Sequence, residues 1–65
     1  MQYLNSSAIR AVKYNPATRT LTIWFTSGSD GYDYFGVPES VYLGLLRASS
    51  KGRYFNLYIR DQYAA

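Results

Sequence analysis

Polar and apolar positions alternate most cleanly between Arg19 and Thr26, where Leu21, Ile23 and Phe25 share one face and Thr20, Thr22, Trp24 and Thr26 the other. A period of two marks a half-buried strand whose aliphatic face turns to the core. The β-branched and aromatic stretch Ala8 to Tyr14 reads as the strand before it, joined by Asn15-Pro16-Ala17-Thr18. Pro16 presets φ for a type I turn and Asn15 closes an Asx-type hydrogen bond, so the two strands form a hairpin. Val12 and Tyr14 share a face while Ile9 falls on the other, which places a bulge near Arg10-Ala11 to turn Ile9 inward. Ser27-Gly28-Ser29-Asp30-Gly31 then reverses the chain into a third strand, Tyr32 to Gly36. An unpaired Asp33 is costly to bury, so Tyr32 and Tyr34 are expected to face the core.

Beyond Gly36 the period lengthens. Val37-Pro38-Glu39 opens a helix, with Pro38 at the first helical position, Glu39 at the positive end of the dipole, and Val41, Leu45 and Ala48 as the inner stripe. Leu43 and Leu46 lie round from that stripe and are expected to seal against a second helix, with a partner chain as the alternative. Gly52 is available for a left-handed C-cap after Ser49-Ser50-Lys51. The second helix then runs from about Arg53 to Tyr63, burying Phe55, Tyr58 and Ile59. Gln62 falls on the same side, so this helix projects past the core at its end, and Ala64-Ala65 frays. The expected architecture is α+β in the order β-β-β-α-α, a three-stranded antiparallel sheet with two helices on one face. The 65 residues make one domain, with an ordered core over about 7–63.

Composition narrows the function classes. With no Cys and no His, the chain lacks the groups for a structural zinc site, a Cys or His nucleophile system or a histidine general base. A chain this short buries only about 60% of the surface its unfolded form exposes, and no disulfide helps it. Hydrophobic content of 48% against 17% charged favours a folded, soluble domain over disorder. No apolar run approaches the roughly 20 residues of a membrane span, and Met1 to Ser7 has no export signal, so a cytoplasmic location and no membrane partner are expected. Of the four carboxylates, Asp30 and Asp33 in Ser29-Asp30-Gly31-Tyr32-Asp33 are better explained by turn chemistry than by calcium. Asp33 and Glu39 stand on different elements with no nucleophile between them. Neither an enzyme, a metal site nor a cofactor is expected.

Charge and aromatic content point to binding. Seven Lys+Arg against four Asp+Glu give +3, and Arg47, Lys51, Arg53 and Arg60 follow one another with no acid between them. Around Ser49-Ser50-Lys51-Gly52-Arg53, a glycine-containing loop opening a helix offers free backbone N–H groups to a phosphate, flanked by Lys51 and Arg53 and extended by Arg60. The same residues fit an ordinary interhelical turn with capping serines and solvated bases. Trp24, opposite the core face, could form with Phe35 and Lys13 a platform that stacks single-stranded bases. Cross-strand aromatic pairing, or Tyr3-Leu4 folding over Trp24, accounts for the same residues without a ligand.

Ser7, Ile9, Val12, Tyr14, Leu21-x-Ile23-x-Phe25, Gly28, Tyr32-x-Tyr34, Val37-Pro38, Val41-Tyr42, Leu45, Ala48-x-Ser50-x-Gly52-x-Tyr54-Phe55-Asn56 and Ile59-Arg60 recur in an order that resembles the KTSC domain. The resemblance spans nearly the whole chain. It implies a small domain with a central Tyr-x-Tyr motif, found at the C-terminus of some bacterial lysyl-tRNA synthetases and as free-standing proteins, with a bacterial or phage source. It implies RNA binding only through that attachment and brings no active site, and Tyr32, Tyr34, Tyr54, Phe55 and Asn56 are read as structural. The expected function is therefore a non-catalytic module that binds RNA or single-stranded nucleic acid weakly through Lys51, Gly52, Arg53 and Arg60, with Trp24 and Lys13 on a second face. The alternative is a protein-contact module, working through Leu43 and Leu46, an exposed sheet edge or a second copy of the chain.

Overall fold

The alternation of Thr20 to Phe25 makes it the most regular strand of the molecule, and the remaining elements assemble around it. The computed structural model describes residues 2–63, with strands β1 (Gln2–Tyr3), β2 (Ile9–Asn15), β3 (Thr20–Phe25) and β4 (Gly31–Tyr34), then helices α1 (Glu39–Arg47) and α2 (Lys51–Tyr58). The sheet is antiparallel throughout in the order β1-β2-β3-β4. It thus has four strands where three are expected. The added one, β1, pairs Gln2 with Val12 and Tyr3 with Ala11, and Leu4 N–H donates to Arg10 C=O at 2.9 Å. Two residues are too few to display an alternation, which is why the pattern does not announce this strand.

The bulge falls where Ile9 requires it. The register passes from Ile9↔Phe25 to Ala11↔Trp24 in a single step on β3, so Arg10 is the extra residue and Ile9 and Val12 both turn inward, fully buried. In the hairpin turn Asn15 Oδ1 accepts from Ala17 N–H at 3.0 Å, the Asx bond that Asn-Pro favours. Arg19, which closes that turn, adopts φ 56°, a left-handed value rare for a residue with a long side chain. Its carbonyl accepts from Val37 N–H at 2.9 Å, fastening the hairpin to the entry of α1. Tyr14 adds a second tie, its hydroxyl donating to Val37 C=O at 2.6 Å while its ring stacks on Tyr42 at 4.9 Å.

Ile9, Val12, Leu21 and Ile23 from the sheet meet Val37, Leu45, Phe55 and Ile59 in one core, with Tyr34 at its edge. Tyr32 shares the side of Tyr34, yet half of it is exposed on the outer strand β4, while Tyr34 is covered by Phe55 of α2.

The helix boundaries differ from expectation at three places. Pro38 is the N-cap of α1 and not its first helical residue, with ψ 150°, and Val41 N–H and Tyr42 N–H donate to its carbonyl. Gly52 is no C-cap: α1 ends at Arg47 with Ala48 as its extended cap, and Gly52 is already the second residue of α2. The break needs no left-handed residue because Lys51 Nζ donates to Ala48 C=O at 2.8 Å, satisfying one of the carbonyls a helix end leaves free. At its far end α2 stops at Tyr58, and Gln62 lies in a turn whose N–H groups from Gln62 and Tyr63 donate to Ile59 C=O. An eight-residue helix buries one narrow stripe, Phe55 with Ile59 at its cap, so Tyr58 is exposed where burial is expected. Fraying of Ala64-Ala65 concerns residues outside those described.

Candidate nucleic-acid interface

The structure separates the bases that the sequence sets in a row. Lys51 is half-buried and spends one proton on Ala48 C=O, in a polar hollow lined by Asn5, Ser6, Ser7, Ser49, Ser50 and Gly52. The serines there already act on the fold. Ser50 Oγ accepts from Arg53 N–H at 3.4 Å as the N-cap of α2, and Ser6 Oγ accepts from Ala8 and Ile9 N–H groups. Gly52 serves close approach: a Cβ on it would stand 2.9 Å from the Cβ of Ala8, so only glycine lets α2 sit this near the start of β2.

Arg53 is exposed and opens onto a different surface, a hollow formed by Tyr54, Leu57, Tyr58, Ala48, Ser49 and Ser50. Tyr54 and Tyr58, one helical turn apart, hold their rings 4.7 Å from each other. Sequence reasoning misses Tyr58 and Leu57 as surface groups because helical spacing alone does not reveal how narrow the covered stripe is. Arg60 stands apart again, beside Phe25, Tyr32, Tyr34 and Phe55.

The second expected platform is divided too. Register places Tyr3, Ala11 and Trp24 in one row across the sheet, and Trp24 lines a hollow with Tyr3 and Arg10. Lys13 and Phe35 line another, around Asp33, which accepts a 2.6 Å hydrogen bond from Thr22 Oγ1. Trp24 therefore gains Tyr3 and Arg10 as neighbours in place of Phe35 and Lys13.

Among the motif residues, Phe55 is buried, Tyr54 Oη donates to Val41 C=O at 3.0 Å across the helix pair, and Asn56 is exposed on α2. Burial raises both the Tyr34 and Tyr54 phenols above the usual 10.0, the neighbouring phenols add to it, and for Tyr34 the Arg60 charge acts in the opposite direction. A phenol that ionises later when folded binds its proton more tightly in the native state, so stability is complete below pH 10 and falls as pH rises above it. The melting temperature is expected to drop above that pH, and Tyr34→Phe to flatten the decline. An unchanged alkaline slope in Tyr34→Phe would contradict this. Among the described residues, no group of three or more Asp, Glu, His or Cys is placed to hold a metal ion, and no helix is long and apolar enough to cross a membrane.

Residues 5–63 match the family model of the KTSC domain. The chain belongs to the KTSC domain family. It is 49% identical over 57 residues to a lysine–tRNA ligase of a Nostoc species, a match covering 88% of this chain but only 10% of the ligase. A protein of Tsukamurella paurometabola is 42% identical over 65 residues and is covered over 96% of its length. The crystal structure of a KTSC domain protein from Yersinia pestis superposes with a TM-score of 0.91 at 36% identity, covering 97% of this chain and 87% of that one. The chain thus spans about a tenth of the ligases it matches and most of its smaller relatives.

Proposed function

We propose that this KTSC domain is a non-catalytic cytoplasmic module that binds single-stranded RNA weakly through the start of α2. The observation that carries the reading is the shared hollow of Arg53, Tyr54, Leu57 and Tyr58. There an exposed guanidinium for phosphate stands beside exposed aromatic and aliphatic surface for a base. The similarity to ligases that act on a tRNA adds to it. Lys51 supports this surface from within by capping α1, so Arg53 makes the leading phosphate contact, and the Trp24 face with Tyr3 and Arg10 is a secondary one.

With a net charge of only +3 the module neutralises few phosphates. For two or three contacts, raising salt from about 50 to 200 mM is expected to weaken binding about 7- to 18-fold. Arg53→Gln is expected to weaken it about three- to ten-fold. Titration of isotope-labelled protein with a short single-stranded RNA, followed by NMR, reads both. Affinity that ignores salt or ignores Arg53→Gln would overturn this mechanism. A flat titration would leave the protein-contact reading, now centred on Leu43 and the outer strands β1 and β4, since Leu46 packs against the core.

A further inference from the structure

Four aromatic rings form a continuous arc on the side of the sheet that carries the helices. Tyr32 packs on Phe25 with centroids 5.8 Å apart, Phe25 meets Phe55 edge to face at 5.1 Å, and Phe55 meets Tyr34 edge to face at 5.5 Å. The arc ends on two tyrosines two residues apart on β4, whose Cα atoms strand geometry sets about 6.6–6.8 Å apart. The rings therefore line a shallow, open hollow of about 280 Å³, with Arg60 at its rim. Tyr34 and Phe55 are buried and form the rigid part, while Tyr32 is 51% exposed and Arg60 lies in solvent. Arg60 is close enough to act on the ionisation of the Tyr34 phenol.

The walls restrict what fits. Aromatic cages of this kind suit a quaternary ammonium, but the Arg60 charge at the rim repels a cation. A shallow hollow just below the usual range of ligand-pocket volumes has room for one planar ring system and little more. Arg60 selects for an anion attached to that ring, since a guanidinium offers a forked pair of donors to phosphate or carboxylate.

We propose that Phe25, Tyr32, Tyr34, Phe55 and Arg60 form a subsite for a single nucleotide of the bound RNA, with the base against the Tyr32 ring and its phosphate on Arg60. The subsite rests on the RNA reading above and gives it a second contact point, distinct from Arg53. Stacking on a ring accepts any base, so the subsite recognises nucleotides as a class.

The test titrates the full labelled chain with adenosine and uridine 5′-monophosphates, with the two nucleosides and with inorganic phosphate. Both monophosphates are expected to shift the Tyr32, Phe25 and Arg60 side-chain resonances, and the nucleosides to shift the same rings with lower affinity. Tyr32→Ala is expected to weaken both ligand types about five-fold or more. Arg60→Gln is expected to weaken the monophosphates about three- to ten-fold while leaving the nucleosides within about two-fold. Both variants change exposed side chains, and retained amide dispersion confirms their fold. Shifts confined to other surfaces, or monophosphate affinity indifferent to Arg60→Gln, would overturn the subsite. Short single-stranded RNA run against the same variants separates the two readings. Binding lost in Arg53→Gln but intact in Tyr32→Ala and Arg60→Gln removes the subsite and keeps the RNA module. Monophosphates filling the ring site of a protein that binds no RNA removes the module and keeps the nucleotide site.

Discussion

Leu45→Ala is expected to cost this domain about 3 kcal/mol, the middle of the range for emptying a fully buried leucine site. Leu45 is wholly inaccessible to solvent and is the buried residue of α1, joining the helix to the core that the sheet, Val37, Phe55 and Ile59 complete. A domain of 65 residues has roughly 3–10 kcal/mol of stability in total, so the substitution removes about three-tenths of it or more. The loss arises in two parts, the transfer free energy of the missing methyl groups and the cavity left among side chains that cannot all collapse. Leu43→Ala on the same helix is the control. Leu43 is 38% exposed, so truncating it forms no closed cavity and should cost about 0.5 kcal/mol or less. Urea unfolding of both variants decides the matter through the midpoint, with the slope unchanged. A Leu45→Ala midpoint near that of the parent would mean that α1 is not anchored where the structure places it.

How far the chain could be read in advance varied with the length over which its pattern repeats. Thr20 to Phe25 alternates over six residues and was legible in full, as was the bulge, because Ile9 and Val12 cannot both be buried without one. The four-strand sheet was not legible, since β1 is held by backbone pairing at Gln2 and Tyr3 and not by any apolar alternation. Gly52 departs from expectation for a physical reason. Glycine after a helix commonly marks a left-handed cap, yet the same residue also marks close backbone approach, and only the position of Ala8 tells the two apart.

For the candidate site the residue types were legible and their grouping was not. Lys51, Arg53 and Arg60 are neighbours in sequence, but Lys51 turns back to Ala48 C=O, Arg53 faces Tyr58, and Arg60 joins the rings of β3, β4 and α2. Helical periodicity relates Arg53 to Arg60. It carries no information about which rings from the sheet arrive beside each of them.

Gly44→Ala is expected to destabilise the protein by about 1–2 kcal/mol, although alanine in a helix interior ordinarily gains about 1 kcal/mol over glycine. The reversal comes from Tyr54. A Cβ on Gly44 would collide with Tyr54 Oη and would stand 2.9 Å from Cζ and 3.2 Å from Cε2, so the ring must leave its place between the helices. Its departure breaks the 3.0 Å hydrogen bond from Tyr54 Oη to Val41 C=O, which is one of the ties between α1 and α2. Tyr54→Phe alone should cost about 1 kcal/mol for that bond. In the double variant the hydroxyl oxygen, the atom nearest the new methyl group, is already gone. The two losses should therefore fall short of their sum by about 1 kcal/mol, the coupling expected of residues in contact. Strict additivity would mean that Tyr54 is not what excludes a side chain at position 44, and a stabilised Gly44→Ala would mean the helices stand further apart. Tyr54 also packs on Tyr58 beside Arg53, so Gly44→Ala should disturb the proposed RNA surface at the start of α2 while leaving the Tyr32 and Arg60 hollow intact. The same substitution thus separates the two proposed binding surfaces by a route that changes no residue in either.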